Sequence, residues 1–133
     1  MTLHTLRELL ERAESGGYAV GAFNVSSLDQ AIAVLDAAKA ERSPVIVQSI
    51  AGMSAYDDEA RWWARLRRLT DDYPTVPVAL HLDHGRSYDD CARAIEAGFS
   101  SVMIDASRDP ATDEPSTFEA NVALTSRVVA LAH

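Results

Sequence analysis

Residues 76–85, VPVALHLDHG, place an apolar run directly before two histidines, an aspartate and a glycine. An apolar run of this kind is typical of a strand buried on both faces of a parallel sheet. Ser87 follows, with Asp90 three residues later, and this spacing is a signature of a helix start. The stretch therefore predicts a strand that ends in ionisable side chains and leads into a helix.

The same order of strand and helix repeats along the chain. An N-terminal helix is predicted over 6–15, and four strands are predicted over 18–25, 45–50, 76–83 and 100–105. Helices are predicted to follow them, through 31–41, 58–71, 88–98 and 118–133. Strands that alternate with helices in this way predict a parallel sheet with right-handed crossovers. We expect one α/β domain over 1–133.

Two α/β architectures fit this order, a doubly wound open sheet and a (β/α) barrel or part of one. A dinucleotide-binding open sheet would have a glycine-rich turn after the first strand, and residues 23–30, FNVSSLDQ, contain no glycine. Instead, polar side chains end each predicted strand: Asn24, Gln48, Ser49, Asp83, His84, Asp105 and Ser107. Barrel enzymes carry their catalytic residues on this rim. We therefore predict a partial (β/α) barrel of about four βα units after an N-terminal helix.

The adjacent pair Asp83 and His84 is the main candidate for chemistry. An imidazole can bind a metal ion and a carboxylate can transfer a proton. The alternative is a helix-capping aspartate beside a core histidine. Asn24 and Asp105, which end two other strands, favour the functional interpretation. We expect His81 to be a hydrogen-bonded interior histidine, with orientation of Asp83 as the alternative.

Composition limits the partners and the location. The net charge of -8 makes binding to nucleic acid or to anionic lipid unexpected. The sequence has no apolar stretch near the ~20 residues that span a membrane, and its N-terminus does not resemble a signal peptide, so we expect a cytoplasmic protein. Cys91, the single cysteine, excludes an internal disulfide and a cysteine-based zinc cluster, and we expect it in a helical core position.

Four blocks of the sequence resemble one enzyme family, in the family's order and over nearly the whole chain. They are GGYAVGAFNVSSLDQAIAVLDAAKAERSPVIVQ (16–48), VPVALHLDHG (76–85), AGFSSVMIDAS (97–107) and NVALTSRVVALAH (121–133). Together they are similar to the N-terminal half of class II, metal-dependent fructose-bisphosphate aldolases. The insert at 108–120 resembles the Calvin-cycle branch of that family, to which tagatose-bisphosphate aldolases are close relatives.

The resemblance implies reversible aldol cleavage of a ketose 1,6-bisphosphate to dihydroxyacetone phosphate and glyceraldehyde 3-phosphate. It implies a catalytic Zn²⁺ with His84 as one ligand, and Asp83 as the acid that protonates the aldehyde oxygen. Asp105 would match the acidic residue at an auxiliary metal position, and Asn24 a substrate contact. Ser49 is a further candidate for substrate binding, one position before Ile50, which occupies the place of the family's substrate-contacting serine. The alternative is that this offset turns the Ser49 side chain to the other face of the strand.

The only lysine, Lys39, disfavours the Schiff-base route to the same reaction. It lies near the end of a predicted helix shortly before a strand begins, which is the pole opposite the strand C-termini. A lysine there cannot reach a substrate on the rim, so no catalytic lysine is expected.

The family pattern extends beyond what this sequence contains. Eight βα units typically need ~250 residues, and the family's glutamate base, two further zinc-binding histidines and glycine-rich phosphate loops have no counterpart in these 133 residues. Three hypotheses follow. The chain is a truncated aldolase with little activity alone, or a half-barrel that closes as a homodimer, or a non-catalytic scaffold that kept the fold and self-associates through its open sheet face.

Overall fold

The computed structural model describes residues 3–52, 58–109 and 111–133. Its elements are α1 (Leu6–Gly16), β1 (Gly21–Asn24), α2 (Leu28–Glu41), β2 (Val45–Ser49), α3 (Glu59–Leu69), a 3₁₀ turn (Thr70–Asp72), β3 (Val78–Gly85), α4 (Tyr88–Glu96), β4 (Ser101–Ile104) and α5 (Phe118–Ala132). The strands form one parallel sheet in the order β1-β2-β3-β4. The predicted alternation of strands and helices is confirmed, although Pro110 of the predicted insert lies outside the described residues.

Local capping explains where the helices begin and end. The Thr5 hydroxyl accepts from the backbone N–H of Glu8, and the Glu8 carboxylate accepts from the backbone N–H of Thr5. Ser27 and Ser87 cap α2 and α4 in the same way, each accepting from the N–H three residues later. After α4 the chain passes through Gly98 at a φ of +88°, a left-handed conformation that favours glycine.

The helices pack on one face of the sheet and form the main core. Inward side chains of β2 and β3 meet α2, α3 and α4 there, and the largest buried ones include Val47, Leu80, Leu82, Leu35 and Trp63. Cys91 is fully buried in this core, and burial raises the pKa of its thiol to about 11. The expectation of a structural cysteine is confirmed.

Helix α1 covers the opposite face of the sheet at the end where the strands begin. Leu9 packs against Ile46 and Ala79, which are the second residues of β2 and β3. Leu6 and Val20 complete this smaller cluster. The strand C-termini, which carry the candidate residues, lie at the other end of the same face.

All four strands differ from their predicted limits, β2 and β4 only by single residues at their ends. The late starts of β1 and β3 follow from turn hydrogen bonds. The Tyr18 N–H donates to the carbonyl of Ala13. This hydrogen bond closes the end of α1, so β1 starts only at Gly21. The Val76 N–H donates to the carbonyl of Tyr73. This turn delays the start of β3 to Val78. At its other end β3 runs two residues further than predicted, to Gly85.

Candidate active site

A bulge in β3 brings Asp83 and His84 to the same place. Leu82 pairs with Val102 and Gly85 pairs with Ile104, so β3 has one residue more than β4 over this span. His84 takes a φ of +51°, in the left-handed region. In a regular strand, consecutive side chains point to opposite faces. Here the Nε2 atom of His84 lies 3.8 Å from Oδ1 of Asp83, so two neighbouring residues face one site.

Asn24 reaches Asp83 from a strand that is not its neighbour. The Asn24 side-chain amide donates to Oδ2 of Asp83 at 2.8 Å, although β2 lies between β1 and β3. The Asp83 side chain is 16% exposed, so the hydrogen bond holds a largely enclosed carboxylate. Because Asn24 fixes Oδ2, the other oxygen is the one that faces His84.

Asp105, just after β4, completes the cluster from the other side. The His84 Nδ1–H donates to Oδ2 of Asp105 at 2.7 Å. The Ser107 hydroxyl and backbone N–H both donate to Oδ1 of Asp105, at 2.6 and 3.2 Å. Ser107 first and His84 second lower the pKa of Asp105 to about 2. The hydrogen bond that His84 donates to Asp105, followed by the charge of Asp83, raises the pKa of His84.

Ser49 does not join this cluster, and its predicted place beside the other rim residues is wrong. Its side chain is 1% exposed on the helix-facing side of the sheet, where its hydroxyl accepts from the Trp62 indole N–H at 3.0 Å. Ser49 pairs with Leu82, a core residue, whereas Asn24 pairs with Gln48 on the opposite face. Strand parity therefore turns Ser49 away from the site.

His81 is the interior histidine that the sequence predicts. It is 9% exposed, and its Nδ1 lies 2.8 Å from the Ser101 hydroxyl on the adjacent strand. Burial lowers the pKa of His81, because an imidazolium loses hydration there. We therefore assign His81 a structural role beneath Asp83.

Comparison with known proteins identifies the family. The model of the family "Fructose-bisphosphate aldolase class-II" matches residues 4–133, almost the entire chain. The chain belongs to the class II fructose-bisphosphate aldolase family. The resemblance carried by the four sequence blocks is thereby confirmed.

Relatives of this aldolase-family chain are more than twice its length. It is 47% identical to the probable fructose-bisphosphate aldolase of Bacillus subtilis (strain 168), over all of this chain and 45% of that protein. It is 41% identical to the fructose-bisphosphate aldolase of Xanthobacter flavus, over 38% of that protein. The solved YdjI aldolase of Escherichia coli K12 superposes with a TM-score of 0.84 at 32% identity, covering 97% of this chain and 46% of that one. The chain thus spans less than half the length of these relatives.

The aldolase family's zinc provides a test of the cluster. The Nδ1–H of His84 is bound to a carboxylate, an arrangement that orients many metal-binding histidines and leaves Nε2 toward the ion. A catalytic zinc, however, usually has three protein ligands. Within residues 3–52, 58–109 and 111–133, no three histidine, cysteine or acidic side chains are arranged to hold a metal ion. His84 fits one position of a zinc site, and the described residues do not form the whole site.

Two features of the site were missed by sequence reasoning. The sequence indicates Ser107 only as a polar residue on the rim, yet its hydroxyl is the main cause of the low pKa of Asp105. The spacing Asp-x-Ser, typical of a local aspartate turn, could have indicated this. The bulge has a weaker signal in Gly85, whose missing Cβ would lie within about 3.0 Å of Leu82, Cys91 and the Met103 carbonyl.

No helix of the described residues is long and apolar enough to cross a membrane.

Proposed function

We propose that this chain supplies the proton-transfer half of an active site for reversible aldol cleavage of ketose 1,6-bisphosphates. The observation that carries the proposal is the hydrogen-bonded cluster of Asn24, Asp83, His84 and Asp105 at the strand C-termini of a chain of this family. Sugar phosphates are the proposed partners, and a cytoplasmic place in carbohydrate metabolism is part of the proposal.

Asp83 is the proposed acid and base of the reaction. In cleavage, its carboxylate takes the proton of the C4 hydroxyl, the C3–C4 bond breaks, and the C4 oxygen becomes the carbonyl of glyceraldehyde 3-phosphate. The electron pair of that bond passes to the other fragment, the enediolate of dihydroxyacetone phosphate, which would take a proton at C3 from a group outside these residues. In condensation the same proton returns to that oxygen. Asn24 holds Oδ2 at 2.8 Å, so proton transfer is assigned to Oδ1. Orientation by a neighbouring amide keeps this oxygen toward the substrate.

His84 and Asp105 form the proposed metal side of the site. Asp105 accepts a hydrogen bond from Nδ1 of His84 and so orients the imidazole ring. Nε2 is therefore the atom that would bind Zn²⁺. That ion would supply Lewis-acid polarisation of the ketone when bound. The other ligands and the groups that hold the two phosphates would come from a second half of the barrel, which the relatives have beyond the matched part.

Complementation tests this proposal. The chain is combined with the remaining part of the Bacillus subtilis relative, and zinc-dependent release of glyceraldehyde 3-phosphate from fructose 1,6-bisphosphate is measured. We expect cleavage by the combination, with a loss of about 10²-fold or more in kcat for Asp83→Asn. His84→Ala should abolish the response to zinc. Asp89→Asn, an exposed aspartate of α4, is the matched control and should leave the rate unchanged.

The control separates loss of chemistry from loss of folding. An active combination whose rate is the same in Asp83→Asn and Asp89→Asn would remove Asp83 from the reaction. Tagatose 1,6-bisphosphate, assayed in parallel, distinguishes the two ketoses that the family resemblance leaves open.

A further inference from the structure

Helix α2, on one flank of the molecule, has a side that no helix of residues 3–52, 58–109 and 111–133 covers. Its first side packs on the sheet through Leu35. Its second side faces the end of α3, where the Tyr73 hydroxyl donates to Asp36 at 2.8 Å. Its third side, with the edge strand β1, lines a groove of about 410 Å³ whose walls are mostly small or apolar: Gly21, Phe23, Ala33, Val34, Ala37 and Pro44. We call this surface the α2 groove.

Helix α5, on the opposite flank, has a side that carries exposed apolar residues. Val128 packs inward, and Arg127 lies over the Tyr88 ring of α4 at 4.8 Å from its centroid. The remaining side carries large apolar residues that stand in solvent: Phe118 at 78% exposure, Val122 at 46% and Val129 at 51%. We call this surface the α5 ridge. The spacing of 118, 122 and 129 places all three on one helical stripe.

The strands between the two flanks complete the pattern. β1 and β4 are the edges of the four-stranded parallel sheet, beside the groove and the ridge respectively. A closed parallel barrel of eight strands has an interior that side chains just fill. The fold of this chain superposes on 46% of a solved aldolase chain with a TM-score of 0.84. Two copies supply the eight strands, and each has one groove and one ridge to offer.

We propose that two copies of this chain associate around a two-fold axis, with the α5 ridge of each in the α2 groove of the other. β1 of one protomer then lies beside β4 of its partner at both junctions, so neither sheet edge stays in water. All eight strands point the same way, which places both copies of the Asn24–Asp83–His84–Asp105 cluster around one mouth. This inference concerns these 133 residues by themselves. The second half of a barrel that the proposed function calls for would occupy the same two edges, so the second copy and that half are alternative ways to close the sheet.

The exposed area supports a stable association. With about 200 Å² for a fully exposed aromatic side chain, the exposed parts of Phe23, Phe118, Val122 and Val129 amount to on the order of 800 Å² across two protomers. The backbone edges, the groove alanines and the bore-facing Met103 add to this. The total approaches the ~1,200–2,000 Å² typical of specific interfaces. A ridge that packed only on another ridge would leave both grooves empty.

Sedimentation equilibrium of the purified chain at micromolar concentrations tests the association, with circular dichroism as the check on folding. We expect twice the 14.4 kDa chain mass. Phe118→Asp on the ridge and Ala37→Lys in the groove should each weaken self-association by at least tenfold while the helical signal is retained. Ala64→Lys is the matched control, since Ala64 is exposed on α3, between α2 and α4 in the helical layer, and it should leave the mass unchanged.

Mixing the two variants tests the specific pairing. A heterodimer of Phe118→Asp with Ala37→Lys has one unaltered junction and one junction with opposite charges, so the mixture should recover dimer that neither variant forms alone. A folded monomer of the unaltered chain would overturn the proposal. A dimer that Phe118→Asp disrupts and Ala37→Lys does not would also overturn the proposal, because the two α5 ridges would then contact each other and the α2 groove would play no part.

Discussion

His84 meets two requirements that oppose each other in an ordinary strand. Its left-handed backbone is unfavourable for a residue with a Cβ, yet this conformation turns the imidazole toward Asp83. The hydrogen bond to Asp105 at 2.7 Å offsets part of that strain. A glycine at this position would relieve the backbone and remove the group for which the bulge exists.

Asp105→Asn should lower the pKa of His84 toward its ordinary value, because the largest cause of its raised pKa is the hydrogen bond that it donates to this carboxylate. An NMR titration of the metal-free chain measures it. Ser101→Ala is the control, since Ser101 bonds His81 and should leave the titration of His84 unchanged. A His84 pKa that is the same with Asp105 and with asparagine would contradict this assignment.

The same pair predicts how stability depends on pH. A raised histidine pKa stabilises the folded state below about pH 6.5, and this contribution is lost as pH rises through the raised value. A lowered aspartate pKa stabilises it above about pH 4, and this contribution is lost as pH falls through about 2. Denaturant unfolding at several pH values should show the His84–Asp105 contribution largest between about pH 4 and 6.5, and absent in Asp105→Asn.

Ser49→Ala should destabilise the fold by about 1–2 kcal/mol, because it leaves the buried Trp62 indole N–H without its acceptor. Urea unfolding followed by tryptophan fluorescence measures the change. Ser15→Ala, an exposed helical serine, is the control and should have little effect. If Ser49→Ala is as stable as the parent, the Ser49–Trp62 contact does not carry this role.

Sequence position predicted that four of the five candidate side chains lie together, because polar groups at parallel strand ends meet on one edge; their roles stay predictions. Asn24, Asp83, His84 and Asp105 do so. Ser49 does not, because the face of a side chain depends on register, and a one-residue difference reverses it. The juxtaposition of Asp83 with His84 depends on a bulge formed against β4, which is a property of the pairing and not of either strand alone.

Helix α1 acts as a cover for the amino end of the inner sheet face. Leu9, 1% exposed, supplies its main contact with Ile46 and Ala79. Leu9→Ala should therefore cost about 2–5 kcal/mol in the free energy of unfolding, the usual range for a buried leucine. Leu10→Ala, at an adjacent position with 47% exposure, should cost far less. Equal losses in the two variants by urea unfolding would show that α1 does not dock through this face.

Elements with local signals were predicted well, and those that depend on distant partners were not. The caps at Thr5, Ser27 and Ser87 involve residues three positions apart, so the sequence alone identifies them. The starts of β1 and β3 depend on turn hydrogen bonds from Tyr18 and Val76, which alternating hydrophobicity does not encode.

The four βα units form part of a barrel. Aldolase relatives are matched over 36–46% of their length. Within the described residues, no three histidine, cysteine or acidic side chains are arranged to hold a metal ion. Family membership could be predicted from sequence because four blocks occur in order. The full ligand set of the proposed metal site could not be, because a catalytic zinc usually has three protein ligands and His84 is the one candidate imidazole in the cluster.

Cleavage of fructose 1,6-bisphosphate by the purified chain with added zinc is the most direct test of this half-site. The unaided chain, folded by circular dichroism, should release no glyceraldehyde 3-phosphate above the rate of zinc in buffer, because His84 alone holds the ion poorly. Robust zinc-dependent cleavage that disappears in both His84→Ala and Asp83→Ala would contradict this, and would show that this chain, alone or as a dimer, forms a complete aldolase site.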